Sequence, residues 1–397
     1  MWFQRAINPY LHELSAHFPA VVVTGARQTG KTALLRQAFP EAEFVSLDVP
    51  SVAESADLDP SALLASAGDR VLHLDEVQYA PGLFRHLKVA IERDRHRMGR
   101  YVMTGSQKFQ LVSGVADSLA GRCAVLELGP LSSAELRGTL QEATPPLADR
   151  IVRGGFPELW RDRTLNHRAF FSSYLATYLE RDVRSLARVG QLRDFERFLR
   201  ALAVRTGGLL NLSDLGRHVG IAATTARDWL SIVETSGVAV LVEPWFGNVG
   251  KRLIKAPKVY LRDTGLACFL LAIDTPEQLV RSPQLGALFE TWVLAQLHCR
   301  IASTGSAAKL YFYRDAHGTE VDFAFERGGR VHLVEVKWAE DVRAARFVSA
   351  IEKVAATLGP LDGEQHWLVC RTPTPHPLRT QANVRAIGEW DLDALVV

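Results

Sequence analysis

The chain is predicted to be α/β, with a mainly parallel sheet at the front, a helical and helix-turn-helix middle, and a second α/β unit at the back. Three observations predict this. Over residues 1–150, five apolar runs ("AVVVTG", "EFVSLD", "VLHLDE", "RYVMTG" and "AVLELGP") alternate with helical stretches. That alternation belongs to a parallel sheet with helices on both faces. Residues 206–272 read as short helices followed by a hairpin, and residues 283–397 return to an α/β pattern. Between them, residues 151–205 are helical and rich in arginine, a lid-like segment.

The 397 residues are too many for one typical domain, since domains run to about 100–200 residues. Hydrophobic content is 47% and charged content 23%, as in globular proteins, and the net charge is only +2. Nothing in that balance demands nucleic acid, so any such contact must come from local patches. Cys123, Cys268, Cys299 and Cys370 lie far apart with no CxxC pair, so free thiols are expected rather than a zinc or redox motif. The amino terminus lacks a secretory h-region, and no apolar run approaches the roughly 20 residues that span a bilayer. A cytoplasmic chain with no membrane partner is the expectation. "ATPPLA" (143–148) reads as a break and "IDTPEQLVRSPQLG" (273–286) as a linker.

"VVVTGARQTGKTALL" carries Gly25-x4-Gly30-Lys31-Thr32 straight after an apolar strand and before a helical run. That is the phosphate-loop pattern in its required context. The backbone from Gly25 through Ala26, Arg27, Gln28, Thr29 and Gly30 to Ala33 would wrap an anion with successive N–H groups and a helix N-terminus. Lys31 would meet the β- and γ-phosphates of ATP, and Thr32 would ligate Mg²⁺. "RVLHLDEVQ" then supplies an apolar strand ending in acid. Asp75 fits the Mg²⁺ ligand and Glu76 the group that orients the attacking water. At the end of "RYVMTGSQ", Thr104, Ser106 or Gln107 could contact the γ-phosphate or the water, or serve only the strand-end turn. Arg122, near the start of the next strand, would act as a finger on a neighbouring subunit's phosphate, or is a surface arginine.

These motifs, with "TGSQ", "SLAGR", "LGPLS", "GGFPE" (154–158), "YLERDV" (178–183) and "KVYLRDTGLA" (258–267), resemble a prokaryotic family of AAA+-type P-loop ATPases. Its members carry a C-terminal DUF4143-type region that is often restriction-endonuclease-like. The resemblance runs nearly end to end. It implies an AAA+-like P-loop NTPase core and homo-oligomers, and supplies no settled cellular function.

In the middle, Ser213 reads as the N-cap of a helix "SDLGRHVG" ended by Gly220, and "AATTARDWLSIVETSG" as a second helix closed by Gly237. Two apolar strands follow. Helix, turn, helix and hairpin is a winged helix-turn-helix order. Thr224, Thr225, Arg227 and Asp228 would begin its recognition helix, with Lys251 and Arg252 near the wing tip. The module reads DNA or spaces proteins; its one recognition-helix base is few for base-edge contacts. The arginines from Arg181 to Arg205 alternate with Asp182, Asp194 and Glu196, as on an ion-paired helix face.

At the back, "GTEVDFAF" and "VHLVEVKW" read as adjacent strands joined by Gly328-Gly329. On alternation Glu335 and Lys337 share a face with Val331 and Leu333. Asp322 comes beside them, and Glu290 stands in an amphipathic helix, "LGALFETWVLAQL". Asp322 and Glu335 would hold Mg²⁺, Lys337 would stabilise charge on a phosphodiester, and Glu290 would be an outer acid. The set is similar to the PD-(D/E)xK nuclease superfamily, with Val321 where that pattern has proline. The bland alternative is an ion pair on an exposed strand face. Two functions follow. One is an ATPase acting on nucleic acid through a Mg²⁺-dependent nuclease-like domain. The other is an ATP-dependent switch or scaffold with a silent nuclease fold. A metabolite kinase would leave the last 190 or so residues unexplained.

Overall fold

The structure is a computed structural model that describes residues 2–106, 119–179, 192–245, 256–340, 345–380 and 382–395. Gln107, Arg181, Asp182, Lys251, Arg252 and the last four residues of "YLERDV" lie outside the described residues.

Among the described residues five strands build the first sheet: β1 (Ala20–Thr24), β2 (Glu43–Ser46), β3 (Leu72–Asp75), β4 (Tyr101–Gly105) and β5 (Cys123–Glu127). Their order is β2-β3-β4-β1-β5, and every neighbouring pair is parallel. All five expected strands are present. β1 is buried along its whole length, which is why its sequence is a continuous apolar run rather than an alternating one. Ala20 and Val22 pack with Leu72, Leu74, Tyr101 and Met103 on one face. Val21 and Val23 pack with Leu34 and Leu35 on the other. Parallel register places every strand's C-terminal end, and so each following loop, along one edge.

Among the described residues the second sheet has nine strands: β6 (Gly208–Leu209), β7 (Ala239–Pro244), β8 (Lys258–Leu261), β9 (Tyr311–Arg314), β10 (Glu320–Arg327), β11 (Arg330–Val336), β12 (His366–Val369), β13 (His376–Pro377) and β14 (Val384–Ile387). The order is β13-β14-β12-β11-β10-β9-β7-β8-β6. The hairpin of the middle segment is therefore continuous with the rear unit. The seam is a short parallel pairing of Glu243 with Tyr311 and Pro244 with Phe312, supported by Trp245 Nε1 donating to Glu326 at 2.8 Å.

Two expectations are corrected, and one alternative falls. The helix Leu212–Val219 is capped by Asn211, whose side chain accepts from Asp214 N, and not by Ser213. The amide oxygen of Asn211 is placed to reach the N–H three residues on. The expected linker contains the helix Pro276–Arg281 with Leu279 fully buried, because Thr275 caps it and its apolar side chain finds the core. The strand β11 is buried from Val331 to Val336, so no exposed face exists for a decorative ion pair. The helix Ser349–Leu358 covers Val331 and Leu333. Val334 and Val336 join the large core that includes Phe289 and Trp292 of the helix Leu285–Thr304.

Of the arginine-rich segment, Arg197 pairs with Asp194 and Arg200 with Glu196 within the helix Leu192–Ala203. Its opposite face carries Phe195 and Phe198, which pack on Trp229 at centroid distances of 5.2 and 5.6 Å. The helix Ala223–Thr235 ends in the glycine turn expected at Gly237, where φ is +72°.

Candidate active site and a second carboxylate cluster

The phosphate loop connects β1 to the helix Lys31–Ala38. Two glycines make its shape. Gly25 has φ +140°, and a Cβ there would come within 2.2 Å of Leu128 O. Gly30, at φ +92°, is the N-cap residue of the helix. Both are backbones that L side chains rarely adopt. Lys31 is buried, and its Nζ donates to Gly25 O at 3.0 Å and Ala26 O at 2.9 Å. Thr29 Oγ1 closes the turn on Ala26 O at 2.9 Å. Arg27 reaches toward the Tyr79 hydroxyl at 3.5 Å. Gln28 is held at φ +61°.

The ends of β3 and β4 complete the arrangement. Thr32 Oγ1 donates to Asp75 Oδ1 at 2.6 Å, and Thr104 Oγ1 donates to the same oxygen at 2.6 Å. Glu76 sits at φ +55°, and its N–H donates to Thr104 at 3.0 Å. Ser106 Oγ donates to the Glu76 carboxylate at 3.1 Å, and Gln78 Nε2 donates to the same oxygen. The structure thus brings Lys31, Thr32, Asp75, Glu76 and Ser106 together. The hydroxyl and carboxylate oxygens of Thr32 and Asp75 are hard donors of the type that Mg²⁺ takes.

Sequence reasoning missed four parts of this site. Gln78 is one. Arg5 is another: it is buried, donates to Thr29 O at 2.8 Å and Gly129 O at 2.8 Å, and pairs with Glu135 at 3.0 Å. A cleft of about 430 Å³ opens beside Gly30, walled by Trp2, Phe3, Ala33, Leu34, Pro157 and Arg161. Pro157 places the "GGFPE" motif in that wall. The fourth part is Asp263, which holds the motif. It accepts from Gly155 N at 2.7 Å and from Leu266 N at 2.8 Å. Burial pushes its carboxyl up to about 6, against the pull of the Gly155, Leu266 and Gly265 N–H groups. Asp263→Ala will strand the Gly155 and Leu266 N–H groups in the interior, and the unfolding free energy measured in denaturant should fall by about 3 kcal/mol.

Arg122 is not brought to this site in its own chain. It precedes β5 at the edge opposite the loop, where Ala20 N donates to its carbonyl, and its guanidinium pairs with Glu92. The five residues of β1 separate the two edges by roughly 15 Å.

The second cluster lies where β8, β10, β11 and the helix Leu285–Thr304 meet. Lys337 Nζ stands 2.6 Å from Glu335 Oε1 and 3.5 Å from Asp322 Oδ2. Asp322 Oδ2 also accepts from Val336 N at 2.8 Å. Glu290 is bonded by the Tyr260 hydroxyl and by Lys258 Nζ at 3.0 Å. Lys258 also pairs with Glu320 at 2.6 Å and approaches Asp322 at 3.9 Å. Glu290, Asp322, Glu335 and Lys337 therefore converge as expected, but Lys258 and Tyr260, both from β8, were not foreseen. Burial, and then the Asp322 carboxylate, raise both Glu290 and Glu335 well above the usual carboxylate range. Burial pulls Lys258 and Lys337 down, but the surrounding carboxylates outweigh it and hold both above the usual lysine range. Among the described residues, no group of three or more His, Cys, Asp or Glu side chains is arranged to hold a metal ion. As folded here, Glu290, Asp322 and Glu335 are gathered around ammonium groups rather than as a ready coordination shell.

One strand serves both sites. β8 carries Lys258 and Tyr260 into the cluster. Directly after it, Arg262 pairs with Glu127 of β5 at 2.6 Å, and Asp263 holds Gly155.

A parallel sheet with a phosphate loop, an acidic β3 end and a polar β4 end defines an AAA+-type P-loop ATPase. Comparisons with known proteins agree. Residues 17–137 match the family model of an AAA domain. Residues 144–277 and 285–388 match two domains of unknown function, DUF8612 and DUF4143. The uncharacterized proteins Mb2031c of Mycobacterium bovis and Rv2008c of Mycobacterium tuberculosis are each 34% identical over 321 residues, covering 80% of this chain and 70% of theirs. The chain belongs to the same family as these mycobacterial proteins, one of AAA+-type ATPases. Among solved structures, the Walker-type ATPase paby2304 of Pyrococcus abyssi is similar at 15% identity and a TM-score of 0.48, covering 68% of this chain and 96% of its own. AMPPCP-bound DnaA from Aquifex aeolicus is similar at 16% identity and a TM-score of 0.31, over 57% of this chain and 85% of its own. Among the described residues no helix is long and apolar enough to cross a membrane.

Proposed function

We propose that this protein hydrolyses ATP and couples the nucleotide cycle to a nuclease-like C-terminal domain, with nucleic acid as its partner class. The observation that carries the first half is the hydrogen-bonded set running from Thr32 through Asp75 and Thr104 to Glu76 and Ser106. Lys31 meets the β- and γ-phosphates, while Gly25 to Ala33 wrap them. Thr32 and Asp75 hold Mg²⁺, which when bound neutralises charge on the phosphate oxygens. Glu76 orients the attacking water, and Ser106 and Gln78 aim its carboxylate. Trp2, Phe3 and Pro157 supply an apolar wall for the base. Arg122, far from its own loop, would meet a neighbouring subunit's phosphate if the chain assembles as a homo-oligomer.

The second half rests on Asp322, Glu335 and Lys337 meeting at the ends of β10 and β11. Hard carboxylate oxygens beside an ammonium suit attack on a phosphodiester. The helices Leu212–Val219 and Ala223–Thr235, followed by β7 and β8, read as a winged helix-turn-helix. Thr224, Arg227 and Asp228 are exposed on its second helix. Boundaries near 150, 205 and 283 remain the working division of the chain.

A switch with a silent nuclease fold is the second reading, and the Lys258 ammonium inside the carboxylate cluster favours it. A cleavage assay decides between them. Full-length protein is incubated with single-stranded, duplex and branched DNA and RNA, with Mg²⁺ or Mn²⁺, with and without ATP. Cutting that is lost in Lys337→Ala establishes the nuclease. Intact ATP turnover with no cutting establishes the switch.

A further inference from the structure

Lys258 is the least exposed charged side chain of the second cluster, at 1%. It does not come from the strands that carry Asp322, Glu335 and Lys337. It comes from β8, in the hairpin of the preceding module. Its Nζ stands among Glu290, Glu320 and Asp322 at 3.0, 2.6 and 3.9 Å. An ammonium at the centre of three carboxylates occupies the kind of position that a divalent cation would take. The second observation concerns Glu335. Its side chain is 8% exposed, and Lys337 pairs with Oε1. The other oxygen, Oε2, is buried with no hydrogen-bond partner among the described residues. An orphaned buried carboxylate oxygen is costly. Four carboxylates (Glu290, Glu320, Asp322 and Glu335) thus face two lysines, with Arg314 reaching only Glu320, at 2.6 Å.

We propose that Lys258 is a resident counter-ion of this cluster, so that its ammonium and a divalent metal ion compete for Glu290, Asp322 and Glu335. The inference rests on the nuclease-like reading of the C-terminal domain and adds to it what governs cation entry. With Lys258 seated, the carboxylates are neutralised from within the chain. Two positive charges would repel each other at this spacing in a buried site, so the metal enters only where Lys258 withdraws. Lys258 reaches the cluster from β8, and directly after β8 Arg262 grips Glu127 of β5 in the ATPase sheet, while Asp263 holds Gly155. The position of the counter-ion is therefore tied to the nucleotide-binding half.

The test titrates Mn²⁺ into full-length protein without nucleotide, by calorimetry and by thermal unfolding. The variants are Lys258→Met, Lys258→Arg and the double variant Lys258→Met with Asp322→Asn. Any cation at Thr32 and Asp75 is common to all of them. Lys258→Met should gain a Mn²⁺ site at least about tenfold tighter than any in wild type, and its melting temperature should rise with Mn²⁺. Lys258→Arg keeps the charge and should behave as wild type. The double variant should lose the gain. If Lys258→Met is unfolded without metal, as buried carboxylates without a counter-ion can cause, Mn²⁺ should restore a cooperative unfolding transition. Equal Mn²⁺ binding in wild type and Lys258→Met overturns the inference, as does a gain that survives Asp322→Asn or an unfolded variant that Mn²⁺ does not restore. The two proposals fail separately. Mn²⁺ gained without cleavage in any variant removes only the nuclease. Cleavage by wild type with a Mn²⁺ site unchanged in Lys258→Met removes only the counter-ion.

Discussion

In Glu76→Gln, ATP will remain bound and its hydrolysis will fall on the order of 10³-fold. The backbone at Glu76 is left-handed, at φ +55°, and its N–H is held by Thr104. That hydrogen bond does not involve the side chain, so the substitution leaves the turn intact. The glutamine oxygen can still accept from Ser106, as the carboxylate does at 3.1 Å. What disappears is the negative charge that draws a proton from water during attack on the γ-phosphate. Titration with a fluorescent ATP analogue should give wild-type affinity, while phosphate release should be nearly absent. Turnover within about twofold of wild type would remove Glu76 from the reaction.

Lys31→Ala should act one step earlier, lowering ATP affinity by about 10²–10⁴-fold. The Lys31 ammonium is buried and donates to the carbonyls of Gly25 and Ala26. Its partners in the nucleotide complex would be phosphate oxygens, where hydrogen bonds to charged groups are worth about 1.5–3 kcal/mol each. Two such bonds give the stated loss. Lys31→Arg should not restore binding, because a planar guanidinium cannot enter a turn shaped around a point charge. Equilibrium binding without turnover reads the effect directly. Retained affinity in Lys31→Ala would place the nucleotide somewhere other than this loop.

Much of the first site was legible in the chain. The spacing from Gly25 to Thr32 is local, and so is the acid pair that ends β3. Such features lie within one turn or one strand end, and backbone geometry demands particular residues there. The five parallel strands were legible for the same reason, since burial on both faces writes a continuous apolar run. Arg122 was legible as a residue but not as a place. Only the parallel register showed that it stands at the edge away from the loop.

The second cluster divides differently. Asp322, Glu335 and Lys337 could be grouped because one tight turn joins their strands. Lys258 and Tyr260 carried no local signal. They reach the same point because β7 pairs with β9, fusing a hairpin to a sheet far along the chain. Arg5, Gln78 and Asp263 were missed for a related reason: each meets a backbone group or side chain that the fold alone brings near. The cap at Asn211 and the helix Pro276–Arg281 were local but lost to stronger-looking neighbours, a serine and a run of turn residues.

By itself, the sequence determined the phosphate loop, its acidic partner strand and the alternation that makes the first sheet. These depend on the φ, ψ freedom of glycine and on burial on both faces of a strand, which writes a continuous apolar run. The tertiary structure alone decided which charges share the interior of the second sheet. Burying a carboxylate is costly unless a counter-charge arrives with it, and here Lys258 arrives from a strand whose pairing no local pattern announces.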